Sequence, residues 1–365
     1  MKKTMHDYMR DVPEVAGNLL KDCKGLAAGF VENLKGKEHK RYIIVASGSS
    51  SNIAENVRYF VQKVMNVPVS VMTPATFMYY EIEQAGKDVL AVFLSQSGYS
   101  TNTNAAAAEL AEKGGDCVAF CNYLDSPMAK AVKSTYTYGN VPGDYFVAKG
   151  FTVSSLSLMI HFLELALAKG KVNKKQYDDY VRQFKTAIAA YEKFMKAAET
   201  FYDANKSFCR SIYRTIFTGY GPGLAIAKEG TLKFLETFGA APIAFELEEF
   251  LHGPDYSVNK DTTVFMVIPK GSRMEDRAAE VREKLPALTD RIVAVTNDRR
   301  ITGRYVICVD EPDMSEETVV LALIAPMQYI ADRICTDLRV GTETLAVKKF
   351  CDSISFKAEG SEGKF

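Results

Sequence analysis

The chain has 365 residues, of which 47% are hydrophobic, and its formal net charge is +0. This length allows about two domains with substantial cores. The charge balance argues against the basic surface that nucleic acid or an anionic membrane requires, so neither is expected as a partner. The seven cysteines are scattered without a Cys-x-x-Cys pair, which predicts reduced thiols in a cytoplasmic protein with no metal site and no cofactor.

Two stretches bear on targeting. The first residues carry charges without a following apolar run, so no signal peptide is expected. The most apolar predicted helix, 154–168, falls short of the roughly 18 residues that span a bilayer and is predicted to lie in a core or an interface. His161 within it is predicted to be a packed core histidine rather than a ligand.

The first half alternates strands with helices. Residues 8–36 have helical spacing, and the apolar strand 41–47 runs into a Gly/Ser loop and a further helix. A second apolar strand, 88–94, runs into the hydroxyl-rich loop 95–103 and the helix 101–113. Shorter strands are predicted at 67–72, 117–121 and 134–139. This order is typical of a doubly wound parallel α/β sheet, with ligands bound at the carboxyl edge.

The second half repeats this order after helices that fill 151–204. The pairs 44–45 with 216–217, and 118–122 with 293–297, recur at an offset of about 172–175 residues. We therefore predict two related α/β domains from an internal duplication, at 20–172 and 200–340, with flanking helices and a polar C-terminal tail, 341–365. The predicted elements are the strands 211–218, 262–268, 292–296 and 305–309 and the helices 224–238 and 318–338.

Short hydroxyl side chains follow two core strands of the first half. Each Ser/Gly loop precedes a helix, whose free backbone amides bind anions, and the second half lacks both loops. Alternatively, these residues only cap helices. We predict phosphate binding in the first half by Ser49, Ser50, Ser95, Ser97 and Ser100.

The predicted helix 224–238 has an ionisable face. Its spacing should bury Leu232 and Leu235 and align Glu229, Lys233 and Glu236. Solvated salt bridges are the simpler interpretation of these charges.

A histidine follows this helix after a short connector. His252 lies in a Glu-Glu-Phe-Leu-His-Gly-Pro turn, whose Gly and Pro favour a rigid loop. A helix carboxylate and a loop histidine are the parts of an acid–base pair, although spacing alone does not establish that they meet.

Taken together, these motifs resemble the SIS (sugar isomerase) family, and the resemblance covers about residues 20–355. Within it, the chain is similar to the isomerase half of glucosamine-6-phosphate synthase and, more closely, to fructoselysine- and glucoselysine-6-phosphate deglycases. The motifs are Ser95-Gln96-Ser97-Gly98, Glu229-Gly230-x-Leu232-Lys233-x-x-Glu236 and Glu249-x-x-His252-Gly253-Pro254. Tyr99, in place of the synthase's glutamate, resembles the deglycase branch.

The resemblance implies a role for each matching residue. Glu236 matches the general base, Lys233 a lysine beside it, and His252 a ring-opening histidine contributed across a dimer interface. Lys348 or Lys349 matches ambiguously the tail lysine that forms a Schiff base in synthases, and Val147 replaces a serine near the sugar phosphate. The residues implied to hold phosphate and sugar hydroxyls are Ser49, Ser50, Ser95, Gln96, Ser97 and Ser100.

The implied activity is hydrolysis of a phosphorylated sugar–amino acid adduct in a homodimer or larger homo-oligomer. No glutaminase segment precedes the motifs, so synthesis of glucosamine phosphate from glutamine is not expected. Two alternatives stay open: an isomerase or deaminase of glucosamine 6-phosphate or a simple hexose phosphate, and a non-catalytic phosphosugar sensor. The absence of a basic arm or DNA-binding helical domain argues against a transcriptional regulator.

Overall fold

The computed structural model describes residues 3–139, 145–311, 313–341 and 344–361. The chain divides into two compact units. The first unit comprises Glu14–Arg182 and the tail from Leu345 onward, and the second comprises Gln183–Thr344 and the N-terminal segment as far as Pro13. The domain bounds 20–172 and 200–340 stay a prediction.

The first unit contains a parallel five-stranded sheet in the order β2-β1-β3-β4-β5. All six residues of its central strand β3 are buried, as expected for a strand covered by helices on both faces. The order reverses between β1 and β3, which makes their carboxyl ends the switch point of the sheet. The strands are β1 (Arg41–Val45), β2 (Val69–Met72), β3 (Val89–Leu94), β4 (Cys117–Phe120) and β5 (Thr135–Tyr136).

The second unit contains a parallel sheet of the same topology, in the order β7-β6-β8-β9-β10. Its central strand β8 is buried at all seven residues, and its order reverses between β6 and β8. The predicted α/β fold with two doubly wound parallel sheets is confirmed. The strands are β6 (Arg214–Gly219), β7 (Ile243–Glu246), β8 (Thr262–Ile268), β9 (Ile292–Thr296) and β10 (Val306–Cys308).

The helices flank these sheets, and their ends follow local sequence signals. Helix Ser49–Met65 ends at Asn66 in the left-handed conformation, and helix Pro222–Phe238 begins with proline and ends at left-handed Gly239. Two helices, Val12–Leu19 and Lys174–Ala204, belong partly to each unit. The other α-helices of the first unit are Cys23–Leu34, Ser49–Met65, Pro74–Thr76, Thr101–Glu112, Pro127–Ala131, Ala148–Ala168 and Leu345–Asp352. Those of the second are Met5–Arg10, Lys206–Arg210, Pro222–Phe238, Leu247–Phe250, Glu275–Lys284, Glu316–Leu323 and Ala325–Leu338.

Some elements differ from the sequence predictions. The region 8–36 forms parts of three helices rather than one. The predicted helix 318–338 is broken at Ile324, because Pro326 cannot continue the hydrogen-bond ladder. Strand Ile243–Glu246 was not predicted, because it is short and lies at the edge of its sheet with an exposed first residue. Helix Glu275–Lys284 was also missed, since only two of its residues are buried.

Two helical stretches are long and apolar enough to span a membrane by length and composition, Ala148–Ala168 and Glu316–Leu338. The first has 21 residues, so its predicted length was too short. In each, 83% of the most apolar window is buried within the protein, which is the property of a core helix. His161 is fully buried among aromatic rings, and its Nδ1 lies 2.8 Å from Ser157 O, as predicted for a core histidine.

Candidate active site

The loop at the carboxyl end of β3 is the candidate site of the first unit, and we call residues 95–100 the serine loop. Ser95 and Ser97 are each only 2% exposed, and their hydroxyls accept hydrogen bonds from loop amides. Gly98 N donates to Ser95 Oγ at 3.1 Å, and Tyr99 N donates to Ser97 Oγ at 3.3 Å. The predicted binding serines therefore also set the shape of their own loop.

Glycine is required at position 98 of this loop. Its φ of +78° lies in the left-handed region, which L side chains seldom adopt. A Cβ built on Gly98 would lie 2.2 Å from Ser126 Oγ, so even alanine would clash. The tight turn directs the chain into helix Thr101–Glu112, whose N-cap residue is Ser100.

The loop after the neighbouring strand β1 is joined to this helix. Asn102 Nδ2 donates to Ser47 Oγ at 3.0 Å, so the two loops of the switch point are linked. Ser49 and Ser50 lie in the first turn of helix Ser49–Met65, each 8% exposed, after Gly48 with φ +59°. Two helix N-termini thus begin at neighbouring strands, where their positive ends favour an anion.

Gln96 faces the start of another helix. Its Nε2 donates to Ser154 Oγ at 2.6 Å and to Gly150 O at 3.4 Å, and its Oε1 accepts from Asn122 Nδ2 at 3.1 Å. A Cβ on Gly150 would lie 3.0 Å from Val147 Cγ1 and 3.3 Å from Gln96 Nε2, so the helix start packs closely against Gln96. The predicted sugar-binding amide is therefore held in one orientation. Nearby Val147 begins this helix with φ +54°, and Phe146 has φ +55°.

The C-terminal tail contributes a lysine that the sequence analysis did not single out. Lys357 Nζ donates to Ser100 Oγ at 3.4 Å, and the two residues form an antiparallel bridge. Lys348, predicted as a catalytic candidate, is exposed on helix Leu345–Asp352 of the same unit. The tail was predicted as a polar extension, but it forms a helix and pairs with the serine loop. No sequence motif marks Lys357, because its position depends on backbone pairing between residues far apart in the chain.

The candidate site of the second unit is the charged face of helix Pro222–Phe238. Lys233 and Glu229 are completely buried, with Lys233 Nζ 3.2 Å from Glu229 Oε1 and 2.5 Å from Glu236 Oε2. The Glu236 side chain remains 29% exposed. The interpretation as solvated salt bridges is therefore wrong for this helix, because the central cation and one of its two carboxylates are shielded from water.

The apolar positions of this helix also differ from the prediction. Leu235 is 44% exposed and Leu232 only half-buried, so the expectation that both are buried was wrong. The buried face includes Gly230, where a Cβ would lie 3.0 Å from the Phe217 ring and 3.2 Å from Met327 Cγ. Close packing at Gly230 brings the neighbouring Glu229 into the interior, and the periodicity of leucines could not reveal this.

Burial and charge adjust the pKa values of this cluster. Burial raises the pKa of Glu236 above its ordinary value; Lys233 opposes this shift and Glu229 reinforces it, and the net pKa is raised. For Lys233, burial alone lowers the pKa, but the two carboxylates outweigh it and the pKa is raised. A partly exposed carboxylate with a raised pKa beside a permanent cation has the properties of a general base.

His252 is exposed in a turn of the second unit and follows Leu251, the C-cap of helix Leu247–Phe250. Glu246 fixes this turn, because its carboxylate accepts from the amides of Glu248 and Glu249 at 2.8 and 3.0 Å. Gly253 follows with φ +125°, as expected for a loop that glycine shapes. Within the described part of the chain, no hydrogen bond joins the His252 ring to Glu236.

Among the residues that the structure describes, no group of three or more His, Cys, Asp or Glu side chains could hold a metal ion. The seven cysteines are all free thiols. Two of them, Cys117 and Cys121, are half-buried and buried, and burial raises the pKa of the Cys117 thiol to about 11. These thiols pack in the core and have none of the acidity of reactive cysteines.

The fold belongs to a known structural class. A protein of Clostridium difficile 630, provisionally described as a phosphosugar isomerase, superposes with a TM-score of 0.83 at 23% identity, covering 95% of this chain and 98% of that one. Glucosamine-6-phosphate deaminase of Thermotoga maritima superposes with a TM-score of 0.67 at 18% identity, covering 90% and 95%. This chain therefore has the paired α/β architecture of phosphosugar isomerase-like proteins.

The sequence comparison agrees with the fold. Residues 37–163 match the family model described as the SIS domain, and the resemblance of the motifs to the SIS family is confirmed. The isomerizing glutamine–fructose-6-phosphate aminotransferase of Bacteroides thetaiotaomicron is 25% identical over 336 residues, 90% of this chain and 53% of that protein. The chain spans about half the length of the curated relatives it matches.

Proposed function

We propose that the protein is a deglycase. It hydrolyses a glucoselysine- or fructoselysine-6-phosphate type of adduct to a hexose 6-phosphate and the free amino acid. The observation that carries the proposal is the buried Glu229–Lys233–Glu236 cluster, in which Glu236 keeps partial exposure and a raised pKa. The motif resemblance to the deglycase branch and the SIS domain support the substrate class.

Glu236 is the proposed base. The open-chain adduct has an acidic C–H bond beside its carbonyl carbon. Glu236 takes this proton, the C–H electrons form a C=C bond, and the carbonyl oxygen gains a proton to give an enolamine. Protonation of the former carbonyl carbon then gives a C=N imine. Water adds to the imine carbon, and the C–N bond breaks to release the amine. Acid–base assistance of this kind accelerates each step about 10²–10⁴-fold.

Other residues have proposed roles in ring opening, in tuning the base and in holding the substrate. His252 opens the sugar ring by moving a proton between the ring oxygen and the anomeric hydroxyl, and Lys233 sets the charge beside the base. The serine loop with Ser49 and Ser50 holds the phosphate, and Gln96 contacts sugar hydroxyls. Anchoring the phosphate orients the reacting carbon with binding energy from a remote group.

Lys348 has a separate proposed role as an imine-forming lysine in the tail. Its exposure on helix Leu345–Asp352 leaves the amine accessible. Borohydride added during turnover would reduce any such imine to a stable adduct, which peptide mass spectrometry would locate. Labelling of Lys348 supports the role, and unlabelled Lys348 in a reaction that otherwise turns over removes it.

The decisive test is product analysis. The purified protein is incubated with fructoselysine 6-phosphate, glucoselysine 6-phosphate and glucosamine 6-phosphate, and products are identified by mass. Free lysine with hexose 6-phosphate supports the deglycase, whereas ammonia from glucosamine 6-phosphate supports a deaminase. No turnover of any of them, with the Glu236→Gln protein as a blank, contradicts both.

The deaminase or aldose–ketose isomerase is the second candidate. It is favoured by the fold shared with glucosamine-6-phosphate deaminase of Thermotoga maritima. Proton transfer between two adjacent sugar carbons by Glu236 is common to both activities, so the amine substituent of the substrate distinguishes them. A homodimer or larger homo-oligomer in the cytoplasm completes the proposal, and the free thiols suit a reducing compartment.

A further inference from the structure

The tail pairs directly with the serine loop through its backbone. The bridge between Ser100 and Lys357 is antiparallel, and hydrogen bonds flank it on both sides. This pairing fixes the backbone of Lys357, so the side chain loses less conformational entropy when it binds a ligand. The flanking bonds are Ala358 N to Tyr99 O (2.9 Å), Thr101 N to Phe356 O (3.2 Å) and Thr101 Oγ1 to Ser355 O (2.8 Å).

The Lys357 ammonium adjoins the hydroxyls at the start of helix Thr101–Glu112. Its Nζ lies 3.4 Å from Ser100 Oγ, which also accepts from Ser95 Oγ at 3.4 Å. Burial lowers the pKa of Lys357, because the ammonium loses hydration. A bound dianion would offset that loss, since it supplies a charge-assisted hydrogen bond in place of water.

We propose that Lys357 is a phosphate-binding residue and makes the serine loop selective for phosphorylated over unphosphorylated sugars. This inference rests on the proposed function, in which the serine loop holds the substrate's phosphate. Hydroxyls and amides bind neutral and charged oxygens alike, whereas an ammonium group favours the dianion. The tail is then part of the binding site, and its pairing with the loop determines where the cation lies.

The test compares affinities for sorbitol 6-phosphate, an open-chain hexose phosphate without a carbonyl, by titration calorimetry. We expect Lys357→Met to weaken binding about 10–100-fold, the range of a hydrogen bond to a charged group. Lys357→Arg should bind within a few-fold of the unchanged protein. Lys87→Met removes an exposed lysine of the same unit and should leave the affinity unchanged.

Each outcome bears on the inference. If Lys357→Met binds sorbitol 6-phosphate as tightly as the unchanged protein, or more tightly, the inference is overturned. A weaker affinity of Ser97→Ala in the same experiment would show that the serine loop nevertheless binds the phosphate. If the unchanged protein binds neither sorbitol 6-phosphate nor inorganic phosphate, the proposed phosphate site fails, and the inference fails with it.

A second measurement avoids dependence on the folding of a variant. The unchanged protein is acetylated with an amine reagent, with and without sorbitol 6-phosphate, and the tail peptide is analysed by mass. Protection of Lys357 by several-fold, with no protection of Lys87 and none by sorbitol, supports the inference. Equal labelling of Lys357 with and without bound sorbitol 6-phosphate overturns it.

Discussion

The carboxyl edges of the two sheets share one topology but differ in chemistry. In the first unit, the loop after β3 presents serines, with Gly98 at φ +78° and the Lys357 ammonium beside Ser100. In the second unit, the loop after β8 has Gly271 at φ +71°, but its amide donates to Glu275 Oε2 at 2.7 Å. In the second unit, the Glu275 carboxylate thus accepts from the loop amide that could otherwise donate to a bound anion.

The rest of the second edge is also internally paired. Tyr220 OH and Ser272 Oγ lie 2.7 Å apart and connect its two switch-point loops. Arg300 pairs with Glu275 and with Asp298, and the pKa of Asp298 falls to about 2 in this cluster, where hydrogen bonds from Arg300 outweigh burial. The comparison teaches that the backbone amides at the carboxyl edge of a doubly wound sheet can bind an anion. The side chains of the edge loops decide whether those amides are left for a ligand or bind a carboxylate of the protein.

The largest expected effect concerns chemistry, which we assign to the helix of the second unit. Glu236→Gln removes the base but preserves the shape, so kcat for adduct hydrolysis should fall about 10³-fold while KM changes little. Steady-state kinetics with fructoselysine 6-phosphate measures this. Glu283→Gln, at an exposed helix position, is the matched control. Undiminished kcat in Glu236→Gln would remove this residue from the mechanism.

The buried ion pair should dominate stability in the same helix. Lys233→Met leaves Glu229 completely buried without its cation, and loss of one partner of such a pair costs about 3–5 kcal/mol. Urea denaturation measures this free energy of unfolding. The exposed pair of Lys284 and Glu283 gives the contrast: Lys284→Met should change stability by less than about 0.5 kcal/mol.

The contrast between the two edges can be tested by replacing one serine of each edge. Ser97→Ala should raise KM for the phosphorylated substrate about 10-fold or more and change kcat less, because a donor near the phosphate is lost. Ser272→Ala in the second unit should leave KM unchanged, since its hydroxyl serves Tyr220. Equal increases of KM in both variants would contradict the assignment of phosphate to the first edge.

The smallest expected effect is a shift of pH dependence. Glu236 must be ionised to act, so kcat/KM should rise with pH through its pKa, which lies above the ordinary 4.5. Glu229 contributes to raising that pKa, so Glu229→Gln should move the acid limb of the profile to lower pH. A profile of kcat/KM against pH for both proteins measures the shift, and movement toward higher pH would contradict the electrostatic assignment.

Much of the fold could be predicted from sequence because it depends on local patterns. Apolar runs predicted the buried strands β1, β3 and β8, and the repeat predicted two related α/β sheets. The edge strand Ile243–Glu246 was missed because an edge strand needs little apolar content. The serines could be singled out because short hydroxyl side chains follow two core strands, and their role in binding phosphate stays a prediction.

The sequence by itself determined the alternation of strands and helices, the hydroxyl-rich loops and the ionisable spacing of one helix, since each depends on residues close together in the chain. Only the tertiary structure decided that Glu229 and Lys233 are buried, because burial depends on how closely Gly230 lets other elements approach. The tertiary structure also decided that Lys357 lies beside Ser100. Contacts across 257 residues depend on the folded path of the chain, which no local pattern encodes.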